Sequence, residues 1–310
     1  MTQDRVLGLN GCCLVGGQTM LTRRQLLEKT VQGVSAGVAI TASETWGAGQ
    51  LAWSKPIGLE IYTVREEFAK DPAGTLKKVG ATGYREMEIS TEIPAATLKT
   101  YLSAANLTAP STYDELPKDL ESWKKTLDHV HPYGFRYIVV GDNPQIDAEA
   151  WKRRAELFNE CGRLAQQAGM QFCYHAHFHE FARLGDTCGY DIMLARCDPK
   201  LLRMEMDVFW ATYAGQNPLD YFQKYPARFP LLHVKDFKPG FPTSTTSFPY
   251  DNGPNPFAPV GKGRIDWVKI FAHARQAGTE HIFVEQDRCD SSPFEAITAS
   301  FNYLKNLRLS

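Results

Sequence analysis

The sequence has few of the features that mark nucleic-acid-binding, membrane-spanning or disulfide-rich proteins. Its 34 basic and 35 acidic residues give a net charge of -1, and the lack of a long basic run argues against a nucleic-acid partner. No apolar run reaches the roughly 18 residues that a membrane span requires, so no stable membrane insertion is expected. The seven cysteines include no C-x-x-C pair, which is unlike a zinc ribbon or a dense disulfide framework, although one bridge is compatible with the sequence.

A glycine-rich phosphate loop of the form G-x-G-x-x-G is also absent, which argues against a dinucleotide cofactor. Hydrophobic residues make up 43% of the chain and charged residues 22%, as in an ordinary globular protein. At 310 residues the chain is long enough to bury a substantial core in one large domain.

The N-terminal segment differs from the rest of the chain. The stretch "MLTRRQLLEKTVQGVSAGVAITAS" starts at Met20, carries Arg23 and Arg24, and continues into a mildly apolar run rich in Gly, Ala and Ser. It is similar to a twin-arginine export signal. Residues 1–54 are therefore predicted to be a leader that is removed or disordered, and the mature protein is predicted to be periplasmic. An ordinary N-terminal helix on a cytoplasmic protein is the alternative.

From residue 55 onward, short β-rich apolar runs alternate with amphipathic helical stretches. The strand candidates are residues 57–64, 84–89, 107–111, 136–141, 171–177, 203–209, 230–236 and 281–286. Eight β/α units over roughly 255 residues are typical of a TIM barrel. The sequence therefore predicts an α/β fold with a single (β/α)8 barrel over residues 55–310. An open doubly wound sheet is the runner-up.

One connection is much longer than an ordinary βα turn. Residues 237–266 are rich in Pro, Gly, Ser and Thr. Because βα loops lie on the catalytic face of a barrel, this segment is a candidate lid, with a disordered insertion as the alternative.

The stretch "FCYHAHFHEF" places three of the eight histidines, His175, His177 and His179, at alternate positions. On a β-strand, alternate side chains point to one face, so the three rings would project together if the strand continued through them. A solvated strand face or an adventitious metal patch is the alternative interpretation. His179 and Glu180 stand at the predicted exit of the strand, where a role in loop structure is expected.

Polar residues also occupy the predicted carboxyl ends of other strands, inside otherwise apolar runs: Glu60, Glu88, Asp207, His233, Lys235 and Glu285. A lone charge is costly in such a run unless it is paired or binds a metal. Groups from strands five to eight would converge on one cation at the catalytic face of a barrel. Carboxylate and imidazole ligands together suit Mn, Zn, Co or Fe better than Ca.

Several of these segments resemble one family. The stretches "IGLEIYTVREEF", "GYREMEI", "EMDVFWATYAGQNPLDYFQKYPARFPLLHVKD", "VGKGRIDW" and "FVEQD" resemble the xylose-isomerase-like TIM barrels, also called sugar phosphate isomerases/epimerases. The branch with an export signal and a Tyr-His-x-His motif on strand five is the most similar. The resemblance implies one divalent metal ion, such as Mn, Zn, Co or Mg, and metal ligands His175, Asp207, His233 and Glu285. His177 competes with His175 for the position on strand five.

The same resemblance suggests roles for the other polar residues. Sugar epimerases of the family use two metal-bound glutamates, and a histidine at strand five removes one of them, which leaves β-elimination with one base and one acid. Glu285 is the candidate base and His177 the acid/base partner. Lys235 would polarise a substrate oxygen or form a surface salt bridge. Expected substrate contacts are Glu60, Tyr62, Glu88 and Trp210, although Glu88 and Trp210 would also fit structural roles.

The function implied is that of a metal-dependent enzyme that removes a proton next to a carbonyl of a non-phosphorylated sugar, keto-sugar or cyclitol, by isomerisation or epimerisation. A keto-sugar dehydratase or 3-keto-glycoside lyase on the same metal site is the first alternative. An endonuclease IV-like phosphodiesterase is disfavoured, since strands two and three lack the extra histidines. A non-catalytic sugar-binding protein is a further alternative, and a homodimer is compatible with the family.

Overall fold

The computed structural model describes residues 49–141, 146–248 and 253–309. Eight parallel strands close into a barrel in chain order, with β8 pairing back to β1. They are β1 Gly58–Glu60, β2 Glu86–Glu88, β3 Thr108–Asp114, β4 Tyr137–Gly141, β5 Gln171–His175, β6 Leu202–Asp207, β7 Leu231–Val234 and β8 His281–Val284. The predicted (β/α)8 barrel is confirmed, and the doubly wound alternative is wrong.

Helices connect the strands. They are α1 Arg65–Lys70, α2 Pro72–Thr82, α3 Ala95–Ala104, α4 Leu120–Val130, α5 Ala148–Gln167, α6 Gly189–Arg196, α7 Val208–Tyr213, α8 Pro218–Lys224, α9 Trp267–Ala277 and α10 Pro293–Leu304. The longest, α5, shows why these segments are helical. Asp147 caps its first turn by accepting a hydrogen bond from the Ala150 N–H at 2.7 Å. Its buried side chains Trp151, Ala155 and Phe158 recur at helical spacing.

The inside of the barrel is apolar below its mouth. Val139, Cys173, Leu231 and Phe283 form a buried cluster of their own, separate from the larger core between strands and helices. Because side chains alternate across a strand, the residues two positions further along these strands continue the interior face. The polar groups at the barrel mouth therefore lie above a layer of buried, mostly apolar side chains, called the apolar floor.

Strand β5 is shorter than predicted. The expected strand over 171–177 ends at His175, so the prediction of three histidines on one strand face is wrong. The reason is Glu180, which is fully buried and accepts hydrogen bonds from the Tyr174 hydroxyl at 2.8 Å and the His177 N–H at 3.1 Å. These two bonds turn the chain into a 3₁₀ helix at His179–Phe181. The expected structural role of Glu180 is confirmed.

The residues just before the barrel pack against its C-terminal end. The Ala52 N–H donates to the Leu307 carbonyl, the Leu309 N–H donates to the Gln50 carbonyl, and Trp53 is buried. The predicted export signal lies in residues 1–48, outside the described residues. Within the described ranges, no helix combines the length and apolarity needed to cross a membrane. The five cysteines in these ranges are all free.

The long connection after β7 is anchored by one carboxylate. Asp236 is fully buried and accepts hydrogen bonds of 2.8–3.2 Å from five donors: the backbone N–H groups of Phe237, Gly261, Gly263 and Ile265, and the Trp267 indole. A Cβ at position 263 would lie 2.1 Å from Asp236 Oδ1, so glycine is required there. Asp236–Phe237 also pairs with Phe257–Ala258. The two ends of the predicted lid are therefore fixed to the barrel.

Replacing Asp236 by Asn is expected to destabilise the barrel by about 2 kcal/mol or more, because either orientation of the amide points its NH₂ group at buried N–H donors. Thermal unfolding should show a fall in Tm of roughly 5 °C. Asp266→Asn is the matched control. Asp266 caps α9 through the Lys269 N–H, and Asn caps helices equally well. Equal Tm values for the two variants would contradict this role of Asp236.

Candidate active site

A cavity of about 580 Å³ opens at the carboxyl ends of the strands. All of the residues predicted for the site line it except Glu88 and Asp207. Those that line it are Glu60, Tyr62, His175, His177, Trp210, His233, Lys235 and Glu285. Arg65, Tyr113 and Asp287, which the sequence analysis did not single out, line the same cavity.

Glu205 joins the two buried histidines of the site. Its Oε2 lies 3.0 Å from His175 Nδ1 and 3.1 Å from His233 Nε2. Glu205 is fully buried, and burial followed by the repulsion of Glu88 raises the pKa of its carboxyl well above the usual range. Burial and the charge of His233 lower the pKa of His175. Glu205 thus fixes the ring of His175 with Nε2 turned toward Asp207, 3.9 Å from its Oδ2.

His233 lies at the centre of the buried network. Its Nδ1 lies 2.8 Å from Glu285 Oε2, and its Nε2 lies 3.0 Å from Glu88 Oε1. Burial alone would lower the pKa of this imidazole, but the carboxylates of Glu205 and Glu285 outweigh it and raise the pKa well above its usual value. His233 is therefore a cation when only protein groups surround it.

Lys235 is the second buried cation, and it is not a surface residue. Its Nζ lies 2.7 Å from Glu285 Oε2, 2.8 Å from Asp287 Oδ1 and 3.1 Å from Asp207 Oδ2, and the residue is 1% exposed. Burial disfavours the charge, but Asp207, Asp287 and Glu285 raise the pKa well above its ordinary value. The ammonium also lies 5.2 Å from the centroid of the Trp210 ring. Lys235 is therefore a permanent cation at the cavity wall.

The carboxyl groups around these cations differ in protonation. Burial raises the pKa of Glu285, but Lys235 and His233 outweigh it and hold the pKa well below the usual range. Burial and the repulsion of Glu88 raise the pKa of Glu60 well above its usual value. Burial raises the pKa of Asp287 to about 7. The site therefore offers an ionised Glu285 beside carboxyl groups that hold protons more tightly.

Glu88 lies below the cavity. It is fully buried, accepts a short hydrogen bond from the Ser111 hydroxyl, and contacts His233. Its position suits the structural role considered for it from the sequence. Trp210 is 1% exposed, packs against Phe248 and the ring of His177, and still forms part of the cavity wall. Phe209 is fully buried against Phe257 and belongs to the core.

The donor set of the site fits a divalent metal ion. His175, Asp207 and His233 each offer a ligand atom, and these atoms lie within 4.8 Å of one another. Asp207 Oδ2 is buried and accepts no well-aligned hydrogen bond from the described residues. Six buried or nearly buried carboxyl groups face only two buried cations, an excess that a bound cation would offset: Glu60, Glu88, Glu205, Asp207, Glu285 and Asp287. Glu285, the fourth predicted ligand, does not belong to the three-residue cluster and contacts Lys235 and His233 instead.

Sequence reasoning missed Glu205 and Asp287, although a signal was present. Charged or ionisable residues stand two positions apart at the ends of three successive strands. The pairs are Glu205 with Asp207, His233 with Lys235, and Glu285 with Asp287. Such spacing puts both members of a pair on the same face of an extended chain. Glu205, the first residue of the pair on β6, contacts His175. Asp287, the second residue of the pair after β8, contacts Lys235.

Comparison with known proteins agrees with this architecture. The family model described as xylose isomerase-like TIM barrel matches residues 59–307. An inosose dehydratase from Clostridium beijerinckii is 25% identical over 265 residues, which cover 74% of this chain and 87% of that protein. A sugar phosphate isomerase/epimerase from Parabacteroides distasonis has a TM-score of 0.68 at 24% identity and covers 89% of this chain and 100% of that one.

The structure of an IolI protein with a bound zinc atom has a TM-score of 0.62 at 16% identity and covers 80% of this chain and 96% of that one. These solved structures share the fold with this chain. Because the family model matches well over half of its residues, the chain belongs to the xylose isomerase-like TIM barrel family.

Metal content should separate the ligands from their neighbours. His175→Ala is expected to lose a metal ion that the wild type retains at about one per chain, and His177→Ala is expected to keep it. Glu205→Gln should weaken metal affinity by about 10–100-fold, because the carboxylate that orients His175 is lost. Elemental mass spectrometry and titration of metal into metal-free protein measure both effects. Metal loss in His177→Ala with retention in His175→Ala would reverse the assignment.

Proposed function

We propose that this member of the xylose isomerase-like family is a lyase that acts on a non-phosphorylated keto-sugar or cyclitol. It removes a proton from the carbon next to a carbonyl and expels an oxygen substituent from the adjacent carbon. Relatives named inosose dehydratase support elimination from a cyclitol ketone as the class of reaction. The observation that carries the proposal is the pairing of one ionised carboxylate, Glu285, with one imidazole, His177, in a single cavity.

Glu285 is suited to accept the proton. Lys235, whose Nζ lies 2.7 Å from Glu285 Oε2, keeps this carboxylate ionised, so it is able to accept a proton. Asp287, which contacts the same Lys235 ammonium as Glu285 and whose pKa burial raises to about 7, is the neighbouring group able to hold the captured proton.

His177 is suited to return a proton to the leaving oxygen. It follows β5, whereas Glu285 follows β8, and three strand spacings separate them around the eight-stranded mouth. A substrate in the cavity would therefore lie between the two groups, with the base on one side and the acid on the other. Histidine exchanges protons near neutral pH, as this step requires.

Lys235 and the cluster of metal ligands act on the substrate carbonyl. A divalent ion held by His175, Asp207 and His233 would supply Lewis acidity to a substrate carbonyl. Lys235 is permanently protonated, so it acts as an electrostatic partner for negative charge on a substrate oxygen and not as a base. Trp210 closes the wall beside it and keeps bulk water from the ammonium.

Epimerisation or isomerisation is the second candidate, and Glu60 is the residue that favours it. Glu60 lines the cavity from β1, and burial raises its pKa, so its carboxyl group is able to hold and return a proton. An enzyme that used Glu60 and Glu285 together would exchange the substrate proton without loss of an oxygen substituent.

The two reactions are distinguished in heavy water with a panel of keto-sugars and cyclitol ketones. The lyase should form an unsaturated ketone, visible by ultraviolet absorbance, and NMR should detect deuterium entry next to the carbonyl. His177→Gln is expected to reduce elimination by about 100-fold or more while deuterium exchange continues, since the acid alone is lost. Glu285→Gln should abolish both signals.

Exchange and epimer formation without an unsaturated product would assign the second candidate. Asp266→Asn, at the exposed cap of α9, provides a variant with the same kind of amide change far from the cavity. A chain that binds metal but catalyses neither exchange nor elimination on the panel would contradict the proposal.

The proposal includes export by the twin-arginine route, which explains the choice of a non-phosphorylated substrate. A fusion of residues 1–60 to a reporter that folds before export should reach the periplasm of a bacterial host. Arg23→Lys with Arg24→Lys should retain the reporter in the cytoplasm, because the signal is read by its paired arginines. Export of the lysine variant, or failure of the wild-type fusion to leave the cytoplasm, would contradict this location.

A further inference from the structure

Strand β6 lies between the two strands that carry the imidazoles of the metal-ligand cluster. It pairs with β5 on one side and with β7 on the other. The register places Glu205 beside His175 and Asp207 beside His233. Glu205 and Asp207 stand two positions apart, so both carboxyl groups point to the same face of β6. The two histidine rings come together on this face, with centroids 4.6 Å apart.

The two acids of β6 contact different nitrogens of the two rings. Glu205 Oε2 lies 3.0 Å from His175 Nδ1 and 3.1 Å from His233 Nε2. Asp207 Oδ2 lies 3.9 Å from His175 Nε2 and 3.8 Å from His233 Nδ1. Each acid therefore faces Nδ1 of one ring and Nε2 of the other, and the two acids face opposite pairs.

We propose that Glu205 is a positioning residue that selects the metal-binding nitrogen of both imidazoles, which is Nε2 in His175 and Nδ1 in His233. The inference rests on the metal ion that the proposed function assigns to these two histidines and Asp207. A neutral imidazole that gives one nitrogen to a metal ion carries its proton on the other nitrogen. A single oxygen, Glu205 Oε2, then accepts the N–H groups of both rings.

Burial enforces this choice of nitrogen. Glu205 is fully buried, and His175 and His233 are each 2% exposed, so bulk water does not compete for these N–H groups. A flip of the His175 ring by 180° would turn a C–H group toward Glu205 and another toward Asp207. The flipped ring would lose both its hydrogen bond and its metal-binding nitrogen, and an unpaired carboxylate would remain in the interior.

Glu88 adds a second contact to only one of the two rings. Its Oε1 lies 3.0 Å from His233 Nε2, so that nitrogen has two carboxyl neighbours. Glu60, Glu88 and His233 form another cluster whose ligand atoms lie within 4.8 Å of one another. An ion shared by Glu88 and His233 would bind Nε2. The proposal gives that nitrogen to a proton and thereby assigns the metal ion to the cluster with His175 and Asp207.

The test is proton–cadmium correlation NMR on metal-free protein reloaded with cadmium-113. Scalar coupling reaches protons three bonds from the ion. Both ring C–H protons are three bonds from an ion on Nε2, whereas only the proton between the two nitrogens is three bonds from an ion on Nδ1. His175 is therefore expected to show cross-peaks from both ring protons, and His233 is expected to show a cross-peak from the proton between its nitrogens alone.

Two variants separate the roles of the acids. Glu205→Gln should lower cadmium affinity by about 10–100-fold and change the cross-peaks of both rings, because an amide cannot accept both N–H groups through one oxygen while its NH₂ group is directed into the same network. Glu88→Gln should leave the His175 cross-peaks unchanged and cost less than about tenfold in affinity, since Glu205 still accepts the His233 proton. Glu121→Gln, exposed on α4, is the matched control and should change neither measurement.

Cross-peaks from both ring protons of His233 would place the ion on Nε2 and overturn the assignment. A single cross-peak from His175, no coupling to either histidine, or an unchanged pattern in folded Glu205→Gln would overturn it as well. If Glu205→Gln does not fold, the wild-type pattern and Glu88→Gln still decide. The cadmium protein is not required to turn over a substrate. Failure of the proposed reaction would instead appear as no exchange or elimination, with the expected coupling pattern intact.

Discussion

The site depends on the placement of too many carboxyl groups around too few cations inside a closed barrel. Lys235 and His233 carry positive charge at the centre and contact the acids that several strands contribute. An unpaired charge in such surroundings is costly, so the position of each acid is tied to that of a cation. The excess of carboxyl groups over cations suits the site to a divalent cation.

The fold supports this arrangement in two ways. Val139, Leu231 and Phe283 of the apolar floor are buried below the network, and apolar surroundings strengthen the electrostatic interactions above them. Two buried carboxylates outside the site hold the loops that border it. Glu180 accepts the hydrogen bonds that fix the turn after β5. Asp236 accepts hydrogen bonds from backbone N–H groups of the connection after β7. Both loops are thereby fixed beside the histidines and Lys235.

The barrel mouth brings carboxyl and imidazole groups from several strands into one cavity. Glu285, which the charge of Lys235 keeps ionised, lines this cavity together with His177. At the end of β5, Glu205 holds the His175 ring through a contact with its Nδ1.

The sequence alone determined the eight-fold β/α alternation and most of the polar residues that line the cavity, because alternating polarity and strand-end positions are local properties of the chain. It could not determine where β5 ends, since that depends on a buried hydrogen bond that the Tyr174 hydroxyl donates to Glu180. Nor could it reveal that Glu88 contacts His233, 145 positions away, or that Glu205 orients His175. Closure of the barrel and the register between its strands decide these contacts. The protonation of each group follows from the same closure, because burial and neighbouring charge exist only in the folded chain.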